Sequence, residues 1–183
     1  MKPGVRVTGG ELRGRGLTVP PGARPTESRV REALFSIWGE RIAGASFLDL
    51  FAGSGVVGIE ARSRGARSVL AVDSEPRTLK VLEKNLAPLG VTGFAVRRLA
   101  LPGGLARLAA EAGPFDLAFA DPPYAFAEYG PLLGAIPPLL ASAAELVIEH
   151  SSRTELPEEA GSLQRTDLRR YGESSLSFYR PRS

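Results

Sequence analysis

From Ser46 onward the chain alternates short apolar runs with helix-forming stretches, and this rhythm restricts the possible folds more than any other feature. Runs near 46–51, 68–72, 93–97, 115–120 and 144–149 have the length and apolar character of buried strands, and the stretches near 56–64, 76–88, 103–111 and 129–140 read as helices between them. Gly65 and Gly90 read as helix stops. Parallel strands need a crossover of helix length, so the order predicts an α/β, doubly wound, Rossmann-like and mostly parallel sheet with ligands at the carboxyl ends of its strands. Two further runs, 162–170 and 175–180, flank Tyr171-Gly172-Glu173 and read as an antiparallel C-terminal hairpin closing one edge, seven strands in all.

The first strand leads into Phe51-Ala52-Gly53-Ser54-Gly55-Val56-Val57-Gly58, a glycine turn opening a helix. Gly53, Gly55 and Gly58 satisfy the G-x-G-x-x-G spacing, and Asp73 follows Gly53 by 20 residues. An NAD-dependent oxidoreductase is therefore one reading. Asp49 argues for another, because a carboxylate four residues before Gly53 would face a pyrophosphate badly. It suits the cationic amino-acid end of S-adenosylmethionine. The plainer readings make Asp49 a cap and Asp73 a turn residue.

At 115–124 an apolar run ends in Asp121-Pro122-Pro123-Tyr124. The prolines cannot extend a sheet or donate backbone hydrogen bonds. The Asp121 carboxylate and the Pro-Pro carbonyls present only acceptors, and Tyr124 offers a flat face, so the strand tip suits a planar ring bearing an amino group: a nucleobase taken out of its stack. The bland alternative is a turn in which Asp121 caps a helix.

Composition narrows the chemistry. The chain of 183 residues suits one core domain with a small appendage, has no cysteine and has one histidine, so thiolate catalysis, disulfides and most metal or Ser-His schemes drop out. His150 reads as structural, and Glu60 and Glu149 as charges without chemistry. No apolar run approaches a bilayer span and no signal-peptide core is present, which implies the cytoplasm. Residues 1–31 carry seven bases against two acids, while the rest carries 16 against 18. A basic arm on a near-neutral body fits a polyanionic partner or a solvated tail. Within it, Val5 to Thr8 and Arg15 to Val19 read as short strands of a hairpin packed loosely on the body or ordered by RNA. Thr26 reads as the cap of a helix over 27–41, with Val30, Leu34, Ile37 and Trp38 on its apolar stripe and Arg29 and Arg31 off it. The expected division is 1–41 as a basic RNA-contacting extension and docking helix, and 42–183 as the main domain.

Four motifs, taken together, carry a resemblance. Gly-Gly-x-x-Arg-Gly-Arg-x-Leu (9–17), Arg-Pro-Thr-x-x-Arg-Val-Arg-Glu-Ala-Leu-Phe (24–35), Asp-Leu-Phe-Ala-Gly-Ser-Gly-x-x-Gly-Ile-Glu-Ala (49–61) and Asp-Pro-Pro-Tyr (121–124) resemble, in the same order, the RsmD-type family. The resemblance spans nearly the whole chain. It implies an S-adenosylmethionine-dependent methyltransferase fold and methylation of the 2-amino group of a guanine in small-subunit ribosomal RNA, free or in an assembling particle, by a monomer without metal. It further implies that Asp49, Gly53 and Gly55 hold the methionine part of the cofactor, that Asp73 meets the ribose with Thr26 nearby, and that Asp121, Pro122 and Tyr124 form the base site. Arg6, Arg13, Arg15, Arg29 and Arg31 become candidate phosphate contacts. The chain departs from related methyltransferases at Ala100, where an acid or amide often meets adenine, so no side chain is assigned to that task. Competing readings are an amino-methyltransferase for adenine or cytosine in DNA or RNA, the oxidoreductase above, and a non-catalytic RNA-binding module.

Overall fold

The computed structural model describes residues 4–23 and 26–183, so Lys2, Arg24 and Pro25, counted above, lie outside the described residues. In chain order the elements are β1 (Val5–Arg6), β2 (Gly16–Leu17), α1 (Ser28–Trp38), β3 (Ser46–Leu50), α2 (Val56–Ser63), β4 (Ser68–Asp73), α3 (Pro76–Leu86), β5 (Phe94–Arg98), α4 (Leu105–Glu111), β6 (Phe115–Ala120), α5 (Tyr129–Ala135), β7 (Leu140–Ser151), β8 (Glu159–Ala160), β9 (Leu163–Tyr171) and β10 (Ser174–Pro181). The large sheet has the order β5-β4-β3-β6-β7-β10-β9-β8. Its first five strands are parallel, and the last three join antiparallel.

The chain runs outward from β3 through β4 to β5, then returns to place β6 on the other side of β3. That reversal puts a crevice at the carboxyl ends of β3 and β6, where the glycine turn and Asp121 both lie.

Strand periodicity sorts the core into two layers. Leu48, Leu50, Ala118, Ala120, Leu146 and Ile148 pack with Leu105, Leu108, Leu132 and Leu133 on one face. Phe47, Leu117, Phe119, Val147, Leu176 and Phe178 pack with Val30, Leu34, Phe35, Trp38, Val57 and Ala61 on the other. Asp49 is in register with Phe119, and Phe119 with Val147. Alternation therefore sends Asp49, Glu149 and, just beyond β6, Asp121 toward the face covered by α1 and α2.

Three expectations change. The sheet has eight strands rather than seven, because Glu159 and Ala160 pair with β9 beyond the hairpin. The helix expected over 129–140 stops at Ala135: Pro137 and Pro138 tighten the chain into a 3-10 turn, and β7 starts at Leu140. The helix expected over 27–41 ends at Trp38, where Gly39 turns at φ 54°.

The basic arm is packed firmly rather than loosely. β1 and β2 pair Val5 with Leu17, and Val7 and Leu17 are buried against Val56 and Ile59 of α2. The Glu60 carboxylate accepts from the Thr8 N–H at 3.0 Å and from its hydroxyl at 2.6 Å, while Asn85 bonds Thr18 at both its N–H and its carbonyl. Gly10 makes the close approach possible, since a Cβ there would stand 2.0 Å from the Ser63 carbonyl oxygen and its φ is +78°.

Candidate active site

A cavity of about 390 Å³ opens at the reversal point, and its walls include Thr26, Asp49, Phe51, Gly53, Ser54, Phe119 and Asp121, with residues 20–23 of the arm along one side. The fold thus brings together four residues singled out in the sequence: Thr26, Asp49, Gly53 and Asp121.

The glycine turn is held by two carboxylates. Asp49 Oδ2 accepts the Gly58 N–H at 2.9 Å, and Asp73 Oδ2 accepts the Gly53 N–H at 2.9 Å while its Oδ1 accepts from Glu75 N at 3.0 Å. Gly58 has to be small, because a Cβ there would lie 3.0 Å from Asp49 Oδ2 and 3.1 Å from both Phe94 and Val69. Gly55 turns at φ 84°, and a Cβ on it would stand 2.7 Å from Leu82; it shapes the turn without lining the cavity. Phe51 adopts φ 57° without being glycine, a costly backbone for a bulky residue, and its ring packs edge-on to Phe126 at 5.2 Å. Asp49 is 2% exposed, and burial pushes its carboxyl up to about 7 against the opposing pull of the Gly58 N–H.

Asp121 stands across the cavity. The Thr26 hydroxyl donates to its Oδ2 at 3.2 Å, and this is the task of Thr26, since the helix cap position falls on Glu27 and carries no side-chain cap bond. Burial and then the neighbouring Glu149 charge raise the Asp121 carboxyl well above the usual carboxylate range. Burial raises Glu149 as well, and its Oε2 is buried without a hydrogen-bond partner among the described residues. Tyr129 is raised by burial and then by Asp121. The sequence reading gave Glu149 no chemistry and did not single out Tyr129; strand register is the signal that could have found Glu149, and Tyr129, at the start of α5, left none. Pro122 is buried, whereas Tyr124 is 87% exposed and outside the cavity wall.

His150 is structural, with Nε2 2.8 Å from Ser177 Oγ and Nδ1 2.9 Å from the Ser151 carbonyl. Arg31 is a correction. It is fully buried, its Nε donating to Glu60 at 3.2 Å and its other nitrogens to the Thr26 and Arg6 carbonyls at 3.1 and 2.7 Å, so it ties arm to body and cannot meet a phosphate. Arg6, Arg13, Arg15 and Arg29 are exposed. Arg13 and Arg29 join Arg64, with Glu32 as the one acid, in the wall of an open groove of about 650 Å³ between the arm and α1. Arg6 and Arg15 instead donate to the Gly14 and Pro88 carbonyls.

The model of the family described as "Conserved hypothetical protein 95" matches residues 5–180. The chain belongs to this family, the RsmD-type family. YlbH of Bacillus subtilis (strain 168) is 36% identical over 183 residues, 97% of this chain and 100% of that protein. Ribosomal RNA small subunit methyltransferase D of Escherichia coli (strain K12) is 42% identical over 122 residues, which cover 66% of this chain and 60% of that protein. The solved structure of yhhF from Escherichia coli superposes with a TM-score of 0.85 at 31% identity, covering 97% of this chain and 98% of that one. Among the described residues no helix is long and apolar enough to cross a membrane.

Proposed function

We propose that this RsmD-type chain transfers a methyl group from S-adenosylmethionine to the 2-amino group of a guanine in small-subunit ribosomal RNA. The observation that carries the reading is that one cavity is walled on one side by Asp49 and the glycine turn and on the other by Asp121. The name of the Escherichia coli relative supports the RNA substrate.

The residues present fit the cofactor. A buried carboxylate facing the cavity matches an ammonium group, and the N–H groups of Gly53 and Gly58, which a dinucleotide's pyrophosphate would need, are already bonded to Asp73 and Asp49. When bound, S-adenosylmethionine supplies an electrophilic methyl carbon, whose bond to sulfur breaks with its electron pair left on sulfur as the amine nitrogen bonds to carbon. Asp49 and Gly53 would hold the amino-acid end. Asp73 keeps acceptor capacity beyond its two backbone bonds for the ribose hydroxyls.

On the acceptor side, the Asp121 carboxylate and the Pro122 carbonyl would each accept one amine hydrogen. That leaves the nitrogen lone pair directed at the methyl carbon. Asp121 then takes the proton that the alkylated nitrogen gives up. Tyr124, exposed beside the site, is free to stack on the extruded base. Arg13 and Arg29, with the arm and helix of residues 1–41, would meet RNA phosphates.

The test is to incubate small-subunit RNA and particles from cells lacking the gene with the protein and labelled cofactor, then map the modified nucleoside by mass spectrometry. Label in N2-methylguanosine is expected. Label only in adenine or cytosine would move the chain to the rival amino-methyltransferase reading, and no label with intact RNA binding would make it a binding module.

A further inference from the structure

Glu149 lies two residues before the end of β7, and Asp121 follows β6 directly. Ala120 is in register with Ile148, so the next residue on each strand, Asp121 and Glu149, is directed to the same face of the sheet. Glu149 is 7% exposed, and its Oε2 is the buried side-chain oxygen without a partner among the described residues. Such an atom is expensive to retain in a folding chain, because a buried unpaired carboxylate loses its hydration without compensation. A glutamine or a leucine would stabilise the fold better at that position, so the carboxylate needs a reason other than packing.

We propose that Glu149 is a positioning residue for Asp121: its carboxylate, fixed on the adjacent strand end, keeps the Asp121 carboxylate receptive to the proton that the amine gives up. This rests on the methyl-transfer reading above. A solvated aspartate is a weak base, poorly matched to a proton leaving an alkylated amine near neutral pH. A second buried negative charge alongside makes it a stronger one. The groups acting on Asp121 are Glu149 from β7, Asp49 from β3, the Tyr129 ring of α5 and the Thr26 hydroxyl ahead of α1; those acting on Glu149 include Glu27, Thr26 and Ser174. None of these is a lysine, arginine or histidine, and the Thr26 hydroxyl donates to Asp121 at 3.2 Å. In the reaction one N–H bond breaks, its electrons stay on nitrogen, and the proton joins an Asp121 oxygen before passing to solvent as product leaves. No redox partner is involved.

The experiment follows the carboxyl carbons of Asp121 and Glu149 by carbon-detected NMR across pH, and in parallel the single-turnover rate of methyl transfer at saturating cofactor, for the parent, Glu149→Gln and Glu149→Asp. In Glu149→Gln the Asp121 midpoint and the acid limb of the rate profile should both fall by about one pH unit or more. Glu149→Asp keeps a carboxylate and should hold the limb near the parent's. A uniform loss of rate in Glu149→Gln with the limb unmoved means Glu149 is only structural and overturns the proposal. Should Glu149→Gln fail to fold, the parent still decides: the two carboxyl carbons must titrate as a linked pair, and two independent single-step titrations overturn it. A parent that shows the linked titration but methylates no RNA defeats the methyl-transfer reading separately.

Discussion

Cofactor binding should depend on pH through Asp49, and Asp49→Asn should abolish that dependence. In the free protein burial raises this carboxyl to about 7, so at neutral pH it is close to half protonated. A bound ammonium favours the ionised form and returns the carboxyl toward the ordinary range. Binding must then expel the proton, and affinity should rise with pH until Asp49 is ionised in the free protein too. With a bound-state value below about 4, the dissociation constant should fall about 16-fold between pH 5.5 and pH 7, or roughly 1.6 kcal/mol. The window stops there because the cofactor's own amino group, with an ordinary value near 7.7 to 8.0, begins to lose its charge above it. Titration calorimetry of S-adenosylhomocysteine, which retains the ammonium, in two buffers of different ionisation enthalpy should register about half a proton released at pH 7 and nearly one at pH 5.5. Affinity that is flat over this range, with no buffer dependence, would refute the assignment of Asp49 to the ammonium. The same carboxyl makes a stability prediction of opposite sense. Its folded value lies above its unfolded one, so the stability present in acid is lost as pH rises through the range up to about 7 and stays lost above it. Asp49→Asn, which cannot ionise, should therefore raise the melting temperature of the free protein at pH 8, by up to about 4 kcal/mol of stability, and should gain nothing below pH 4.

Asp121→Asn presents N–H groups to the amine where the carboxylate accepted, and it should slow methyl transfer about 100-fold, roughly 2.7 kcal/mol of barrier, with cofactor affinity held within a few fold in the same preparation. Arg13→Glu with Arg29→Glu should weaken RNA binding and lower the salt slope by about 0.7 to 0.9 per lost phosphate contact, measured by fluorescence anisotropy between low and moderate salt; an unchanged slope returns the groove to ordinary surface. Arg31→Ala leaves the Glu60 carboxylate buried with a partner gone, so urea denaturation should show a loss of about 3 to 5 kcal/mol. Its RNA affinity per folded molecule should stay the same.

The alternation of strands and helices was legible because the strands read as short apolar runs, several of them closely followed by glycine or proline, a local signal. The end of α5 was harder to place, since Pro137 and Pro138 permit either a late helix turn or an early strand, and the pairing of β7 with β6 decides it. The motifs named candidate site residues but not their division of labour. Asp73 looks like a ligand contact by spacing, and it also fastens backbone, its Oδ2 accepting from Gly53 of the glycine turn and its Oδ1 from Glu75. Arg31 shares its basic segment with Arg29, and a helical wheel alone puts it off the apolar stripe. What buries it is Glu60, 29 residues away on another helix, and a contact of that range leaves no mark in the periodicity of α1. The firmness of the arm was hidden for the same reason: Glu60 reads as a surface charge until the fold places Thr8, Arg31 and Arg64 around it.

Glu60 and Glu149 are both buried carboxylates outside the motif positions expected to carry chemistry, and the contrast between them shows how function is to be sought in such a fold. Every neighbour of Glu60 is a donor: the Thr8 amide and hydroxyl, the Arg31 guanidinium and the Arg64 guanidinium at 3.0 Å. Its charge is matched, and its removal should be felt in stability. Glu149 lies among Asp121, Glu27 and hydroxyl groups, and among the described residues its Oε2 has no hydrogen-bond partner and no basic side chain is seen to act on it. Its charge is unmatched, so replacing it with a neutral residue should cost the fold little or strengthen it. A paired melting experiment separates the two cases: Glu60→Gln should destabilise the protein at pH 8, while Glu149→Gln should leave it as stable or more so. If Glu149→Gln proved as destabilising as Glu60→Gln, the bare carboxylate would be part of the packing, and the case for its acting on Asp121 would fall with it.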